Sequence, residues 1–216
     1  MSAQAAALVT LAGFGAWHGL NPAMGWLFAV ARGMQAQSGR VVASSLGPIA
    51  LGHAAAVALA VAIFAGGRLA LPLGALRYAT AALVVAFGLF KLVRPKHPRW
   101  VGMRLGAREL TLWSFLMATA HGAGLMVLPI FLLDAEASAP PCLGHCRGAS
   151  GLDLTSWSGY LVGVGVHTGA MLATSGFVAL IVYYRVGLAV LRRAWWNLDP
   201  LWAVGLVASG AFALLA

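Results

Sequence analysis

The sequence predicts an all-α integral membrane protein of six transmembrane helices, arranged as two inverted three-helix repeats. Three observations carry that expectation. Of 216 residues, 61% are apolar and 9% charged, with a mean hydropathy of +0.87, whereas a soluble domain holds about 25% charged residues. The apolar residues gather into stretches near the ~20 residues that a bilayer core requires. Short motifs recur once in each half of the chain. A water-soluble enzyme, a disordered tail and a nucleic-acid-binding module are excluded on these grounds. The whole chain, 1–216, reads as a single polytopic membrane domain, with repeat one over about 3–93 and repeat two over about 110–216.

The expected spans are 3–31, 41–64, 69–93, 111–133, 157–184 and 199–216. The first contains Asn21-Pro22 and should kink or break there, because proline removes a backbone donor and clashes with the preceding turn. The last opens on Asp199-Pro200, a carboxylate N-cap followed by proline at the first helical position. The start carries no basic segment ahead of its apolar stretch, so no cleavable signal peptide is expected.

Net charge is +9, from 14 Lys and Arg against 5 Asp and Glu. In a soluble protein that excess would suggest a nucleic acid. In a membrane protein it marks the cytoplasmic loops. Arg32 and Arg40 fall in loop one. Lys91, Arg94, Lys96, Arg99, Arg104 and Arg108 fall in loop three, and Arg185, Arg192 and Arg193 in loop five. The odd loops are therefore expected on the cytoplasmic side of a cell (inner) membrane, with both termini outside. Trp100, Trp113, Trp157, Trp195 and Trp196 lie near expected span ends, where interfacial aromatics belong.

The repeat rests on three correspondences. Ala16-Trp17-His18-Gly19 matches Thr119-Ala120-His121-Gly122, and Gly52-His53 matches Val166-His167. The segment from Val84 to Phe90 answers that from Leu206 to Phe212, and the three offsets are 103, 114 and 122 residues. Three spans per half give the halves opposite orientations, an arrangement that many secondary transporters use with a site near the midplane.

Of six histidines, His18, His53, His121 and His167 fall near the middle of spans one, two, four and five. Ionisable groups at that depth are costly unless they face the bundle interior, and neutral imidazole is a ready metal ligand. A lone histidine there more often bridges helices by a hydrogen bond; four in matched positions point to a site. Asn21, Met24, Met126 and Met171 are the secondary candidates. Met24 lies six residues after His18, Met126 five after His121 and Met171 four after His167. Thioethers suit soft ions and imidazole suits Ni, Co, Zn, Cu and Fe, although a methionine is also a common core filler. All five acids are expected in loops or at span ends, which leaves no carboxylate at histidine depth.

The long loop between spans four and five carries Asp134, Glu136 and Asp153 against Arg147, together with Cys142-Leu143-Gly144-His145-Cys146. This is not the haem-attachment CxxCH. Three readings stand: Cys142 and Cys146 form a disulfide, Cys142, His145 and Cys146 form an accessory metal-capture or release site, or the loop does neither.

The segment His18-Gly19-Leu20-Asn21-Pro22-Ala23-Met24 resembles the His-x-x-acid-Pro-x-His signature on the first helix of nickel/cobalt (NicO-type) exporters. The similarity runs through Ala29-Val30-Ala31-Arg32-Gly33 to Gly52-His53, over about 10–65. It implies a small six-helix exporter with two three-helix halves. Asn21 stands where that family has an acid and Met24 where it has a second histidine, which shifts the expected cargo toward a softer ion. The leading expectation is thus a transporter that exports a transition-metal cation through a midplane histidine site. A haem-binding membrane redox protein using the same histidines as axial ligands is the alternative. A membrane metalloenzyme is disfavoured for want of a carboxylate base, and a purely structural subunit is the remaining class.

Overall fold

The computed structural model describes residues 3–93, 105–137, 154, 156–187 and 199–215. Across these the chain is all-helical, with no strand among the described residues. Helix α1 (Ala3–Leu20) ends at a 3₁₀ turn (Pro22–Met24), and α2 (Trp26–Gln35) follows. Helices α3 (Gly39–Ala70) and α4 (Leu73–Val93) complete the first half. The second half holds α5 (Ala107–His121), α6 (Ala123–Ala137), α7 (Trp157–Ile181) with a π-helical turn at Val182–Val186, and α8 (Asp199–Leu215).

Three helical segments, Gly39–Ala70, Leu73–Val93 and Trp157–Val186, are long and apolar enough to cross a membrane. A fourth span is added if α5 and α6 count as one, although they meet at a 58° bend. A continuous span was expected over 111–133; the structure breaks it at Gly122. The expected spans 3–31 and 199–216 take the form of a helix interrupted at Asn21–Gly25 and a helix of 17 residues. Many large apolar side chains point outward along these helices, among them Ile63, Leu83, Leu161 and Phe177. That is the surface a lipid bilayer covers.

The helices pair across the two halves. α1 packs chiefly on α7, α3 on α5 and α4 on α8, while α6 sits among α1, α3, α4 and α8. Small residues set the closest approaches. A side chain at Gly15 would collide with the backbone carbonyl of His167, and one at Gly52 with that of Thr111. On α4, a Cβ at Gly88 would stand 3.0 Å from Val207 N and 3.1 Å from Ala203 O. On α8, a Cβ at Gly210 would stand 3.1 Å from both Val85 N and Ala81 O. The same 122-residue offset relates Gly88 to Gly210, Val85 to Val207 and Ala81 to Ala203. The contact is reciprocal.

Both helix breaks have a local cause. Asn21 is extended (φ −72°, ψ 119°) and its Oδ1 accepts from the Ala23 amide at 2.9 Å, so it caps the 3₁₀ turn that Pro22 opens. Gly25 closes the turn at φ 114°, a conformation that a side chain would strain. Gly122 ends α5 in the left-handed region at φ 70°.

In an apolar surrounding, carbonyls released by a break need donors from elsewhere. Ser175 Oγ donates to Gly19 O at 3.1 Å, Trp26 Nε1 to Leu20 O at 3.3 Å and Trp113 Nε1 to Ala23 O at 3.3 Å. At the second break Trp202 Nε1 donates to His121 O at 2.8 Å. Trp113, expected as an interfacial anchor, is thus a cap for the first break.

Candidate histidine centre

Each of the four histidines singled out in the sequence is carried to the interior by its own helix: His18 by α1, His53 by α3, His121 by α5 and His167 by α7. All four are buried, at 0–1% exposure. Three of them converge. The ring centroids of His18 and His53 are 5.4 Å apart, those of His18 and His167 4.9 Å, and those of His53 and His167 5.4 Å. The glycines explain how: Gly15 lets α1 close onto the His167 backbone, and Gly52 does the same for α3 on α5.

Hydrogen bonds fix the ring tautomers. His18 Nδ1 donates to Phe14 O at 2.9 Å, His121 Nδ1 to Met117 O at 2.9 Å, and His167 Nδ1 to Leu11 O at 3.1 Å. A carbonyl only accepts, so Nδ1 carries the proton in each, and in the neutral ring Nε2 keeps a bare lone pair. The Nε2 atoms of His18 and His167 are buried without a hydrogen-bond partner, and so are both ring nitrogens of His53. Asn21 Nδ2 and Thr168 Oγ1 are buried and unpartnered as well. A buried polar atom left in that state costs about 1–3 kcal/mol. Several of them gathered on one set of neighbouring residues call for a ligand or a function.

Three imidazoles sharing a first-row metal at about 2.1 Å would have centroids roughly 5 Å apart, which is the spacing found. Their nitrogens do not yet converge. His53 and His167 stack with planes 15° apart, and no group of three or more His, Cys, Asp or Glu side chains among the described residues is disposed to hold a metal ion.

The secondary candidates divide. Met171 is fully buried, one helical turn from His167, with its sulfur 3.5 Å from Ser175 Oγ. Met24 is fully buried in the 3₁₀ turn. Met126 belongs to a cluster with Val84, Trp202 and Leu206 and faces a cavity of about 600 Å³. Asn21 spends Oδ1 on its cap and offers Nδ2, a donor, to the interior. Donors of that kind suit a bound water or an anionic atom rather than a metal. Cys142, His145 and Cys146 lie outside the described residues, as do Asp153 and the whole basic stretch 94–104. Asp134, placed in the outer loop by the sequence, lies instead in the last turns of α6, buried and lining the same cavity. The apolar run simply continues as helix beyond Leu133.

Trp202 is the residue that sequence reasoning missed. Its ring stands 4.0 Å from that of His18, edge to face, and stacks on Trp17 at 6.3 Å. The available signal was its offset: Thr80 and Trp202 are 122 residues apart, so the tryptophan falls inside the repeat that joins α4 to α8. No family model matches the chain, and neither does any curated protein or solved structure.

Proposed function

We propose that the chain is a multi-pass membrane transporter that moves a transition-metal cation through a midplane site built on His18, His53 and His167. One observation carries this reading: lone pairs of Nε2 on His18 and His167 are left bare by Nδ1–H bonds to backbone carbonyls. Metal-ligating histidines are oriented in that way, the other ring nitrogen donating to a fixed acceptor. His53, held by no hydrogen bond, is the ring that turns to complete the set. Met171 adds a soft donor on the face of His167, and Asn21 holds a water of the incoming ion. His121 sits at the second break and supports the site through Trp202.

The helix arrangement supports six spans in two inverted repeats. Pairing of α1 with α7 and of α3 with α5 is what a two-fold exchange of the halves predicts, and α4 with α8 is its self-paired contact. Each half also has a broken helix with a histidine just before the break, the device by which transporters line a midplane site with backbone. The distribution of basic residues supports odd loops on the cytoplasmic side and both termini outside. Export and the nickel/cobalt-exporter likeness follow from the segment His18 to Met24, with Met24 favouring a softer cargo.

The haem reading is weaker on packing grounds. Two axial imidazoles stand on opposite faces of a macrocycle, whereas these three rings lie against one another and His18 also lies against Trp202.

Detergent-purified protein should bind Ni(II), Co(II), Zn(II) or Cu(I) with a stoichiometry near one. Substituting alanine for His18, His53 or His167 should each weaken binding by about 100-fold or more, since these are direct ligands. His97→Ala, in the basic loop, should leave it unchanged. Protein that binds none of the four ions, or binds them equally without the three histidines, overturns the proposal. A Soret band lost in His53→Ala would move the assignment to haem.

A further inference from the structure

The cavity of about 600 Å³ lies between α1, α6 and α8. It runs from the level of Ala6, Asp134 and Phe212 to a floor at Phe14, Met126 and Gly205. On each wall the lining stops three to five residues short of His18, His121 or Trp202. Phe14 is four residues before His18, Met126 five after His121, and Gly205 three after Trp202. Phe14 and Met126 then pack into the cluster that holds Trp202. Beyond the floor, the indole of Trp202 lies against His18, and its N–H is fastened to the carbonyl at the α5–α6 break.

We propose that Trp202 is a gate between this cavity and the histidine centre, and that the cavity is the half of the translocation path on the side where α1 begins. The structure is the closed state of that gate. Trp202 holds three things at once: the edge of the His18 ring, the carbonyl of His121, and the residues of the cavity floor. Releasing the indole would unseal the floor and withdraw the Trp202 hydrogen bond from the α5–α6 break in the same step. The cavity walls are apolar apart from Thr10, Asp134 and Ser209, and an apolar passage resists wetting by ions while its inner end is shut.

This inference rests on the transport reading for its purpose but is tested without any metal. Cys142→Ser with Cys146→Ser removes both thiols of the chain. In that background, Ala208→Cys on the cavity wall should react with a membrane-impermeant maleimide added from the side where α1 begins. Intact cells and inverted vesicles supply the two sides. His53→Cys should react slowly while Trp202 is present and roughly tenfold faster or more in Trp202→Ala, as for a lid removed from a site. Trp202→Phe, a smaller ring without the N–H, should give an acceleration of about threefold, and it serves as the test if Trp202→Ala does not fold. Leu206→Ala, which opens space in the same cluster, should change the rate little.

No reaction at Ala208→Cys from that side overturns the proposal. So does an His53→Cys rate indifferent to Trp202, or one raised equally by Leu206→Ala. Protein that binds no metal yet shows the Trp202 dependence loses the transport reading and keeps the gate.

Discussion

The two helix breaks begin alike and end differently. In each, a histidine donates Nδ1–H to the carbonyl four residues earlier, at 2.9 Å, just before the helix stops. After His18 the chain takes a 3₁₀ turn through Pro22, and three side chains collect the carbonyls of Gly19, Leu20 and Ala23. After His121 a single left-handed glycine makes the turn, and one indole collects one carbonyl. The first break is rigid because its donors come from α2, α5 and α7. At the second, the indole of Trp202 on α8 is the side chain that donates to the carbonyl at the break, and a break held by the proposed gate is the one suited to move. A shared local motif therefore does not fix a shared mechanical role; the donors that arrive from elsewhere do.

Substitutions at the turn glycines should separate the two breaks most. Gly25→Ala imposes a side chain at φ 114°, with Ile49 about to be touched at 3.2 Å, and should cost about 2–3 kcal/mol. Gly122→Ala sits at φ 70°, within reach of ordinary residues, and should cost about 1–2 kcal/mol plus the displacement of the Phe87 ring. Thermal unfolding in detergent reads both, and the reverse ranking would show that the first break is not the stiffer one.

The next effect is in the capping donors. Trp202→Phe removes the indole donor to the His121 carbonyl and should lower stability by about 1–2 kcal/mol. Ser175→Ala leaves the Gly19 carbonyl unpaired and should cost about 1 kcal/mol. Trp113→Phe removes a longer bond of 3.3 Å at Ala23 and should cost about 0.5–1 kcal/mol. Hydrogen exchange at the amides flanking each break should rise broadly around Gly122 in Trp202→Phe, but stay local around Asn21 in either of the others.

The smallest expected effect is a difference near zero. Gly88→Ala and Gly210→Ala each drive a methyl toward a valine side chain at 2.7 Å, Val207 in one case and Val85 in the other. If the halves are related by a two-fold, the two variants should agree within about 0.5 kcal/mol. A gap of several times that size, measured in the same detergent, would count against the symmetry.

Much of this was legible in the residues. Asn21-Pro22 announced the first break, because proline and a capping amide leave a helix few alternatives. The four histidines announced a buried site. The second break was not legible. Gly122 is one of many glycines in the spans, and nothing local distinguishes a left-handed one from one that merely packs. Which three histidines meet was equally hidden, since it depends on α1 lying on α7 rather than on sequence order. The role of Trp202 was hidden for a further reason: its partner at the break is a backbone carbonyl, which carries no residue identity. Asp134 was misplaced because its run of apolar neighbours continued the helix into what composition marked as loop.

The donors at the first break also set a timetable. Trp113 is 90 residues beyond the Ala23 carbonyl that it takes, and Ser175 is 156 beyond Gly19. While the chain emerges from the ribosome, neither exists when α1 and α2 have just been made. Those carbonyls must first be met by water or by lipid headgroups, or the segment must enter as an unbroken helix and snap at Asn21 later. The N-terminal half is therefore unfinished until most of the second half has been synthesised. Truncation after α4 should leave a protein that inserts but stays a substrate for membrane quality-control proteases.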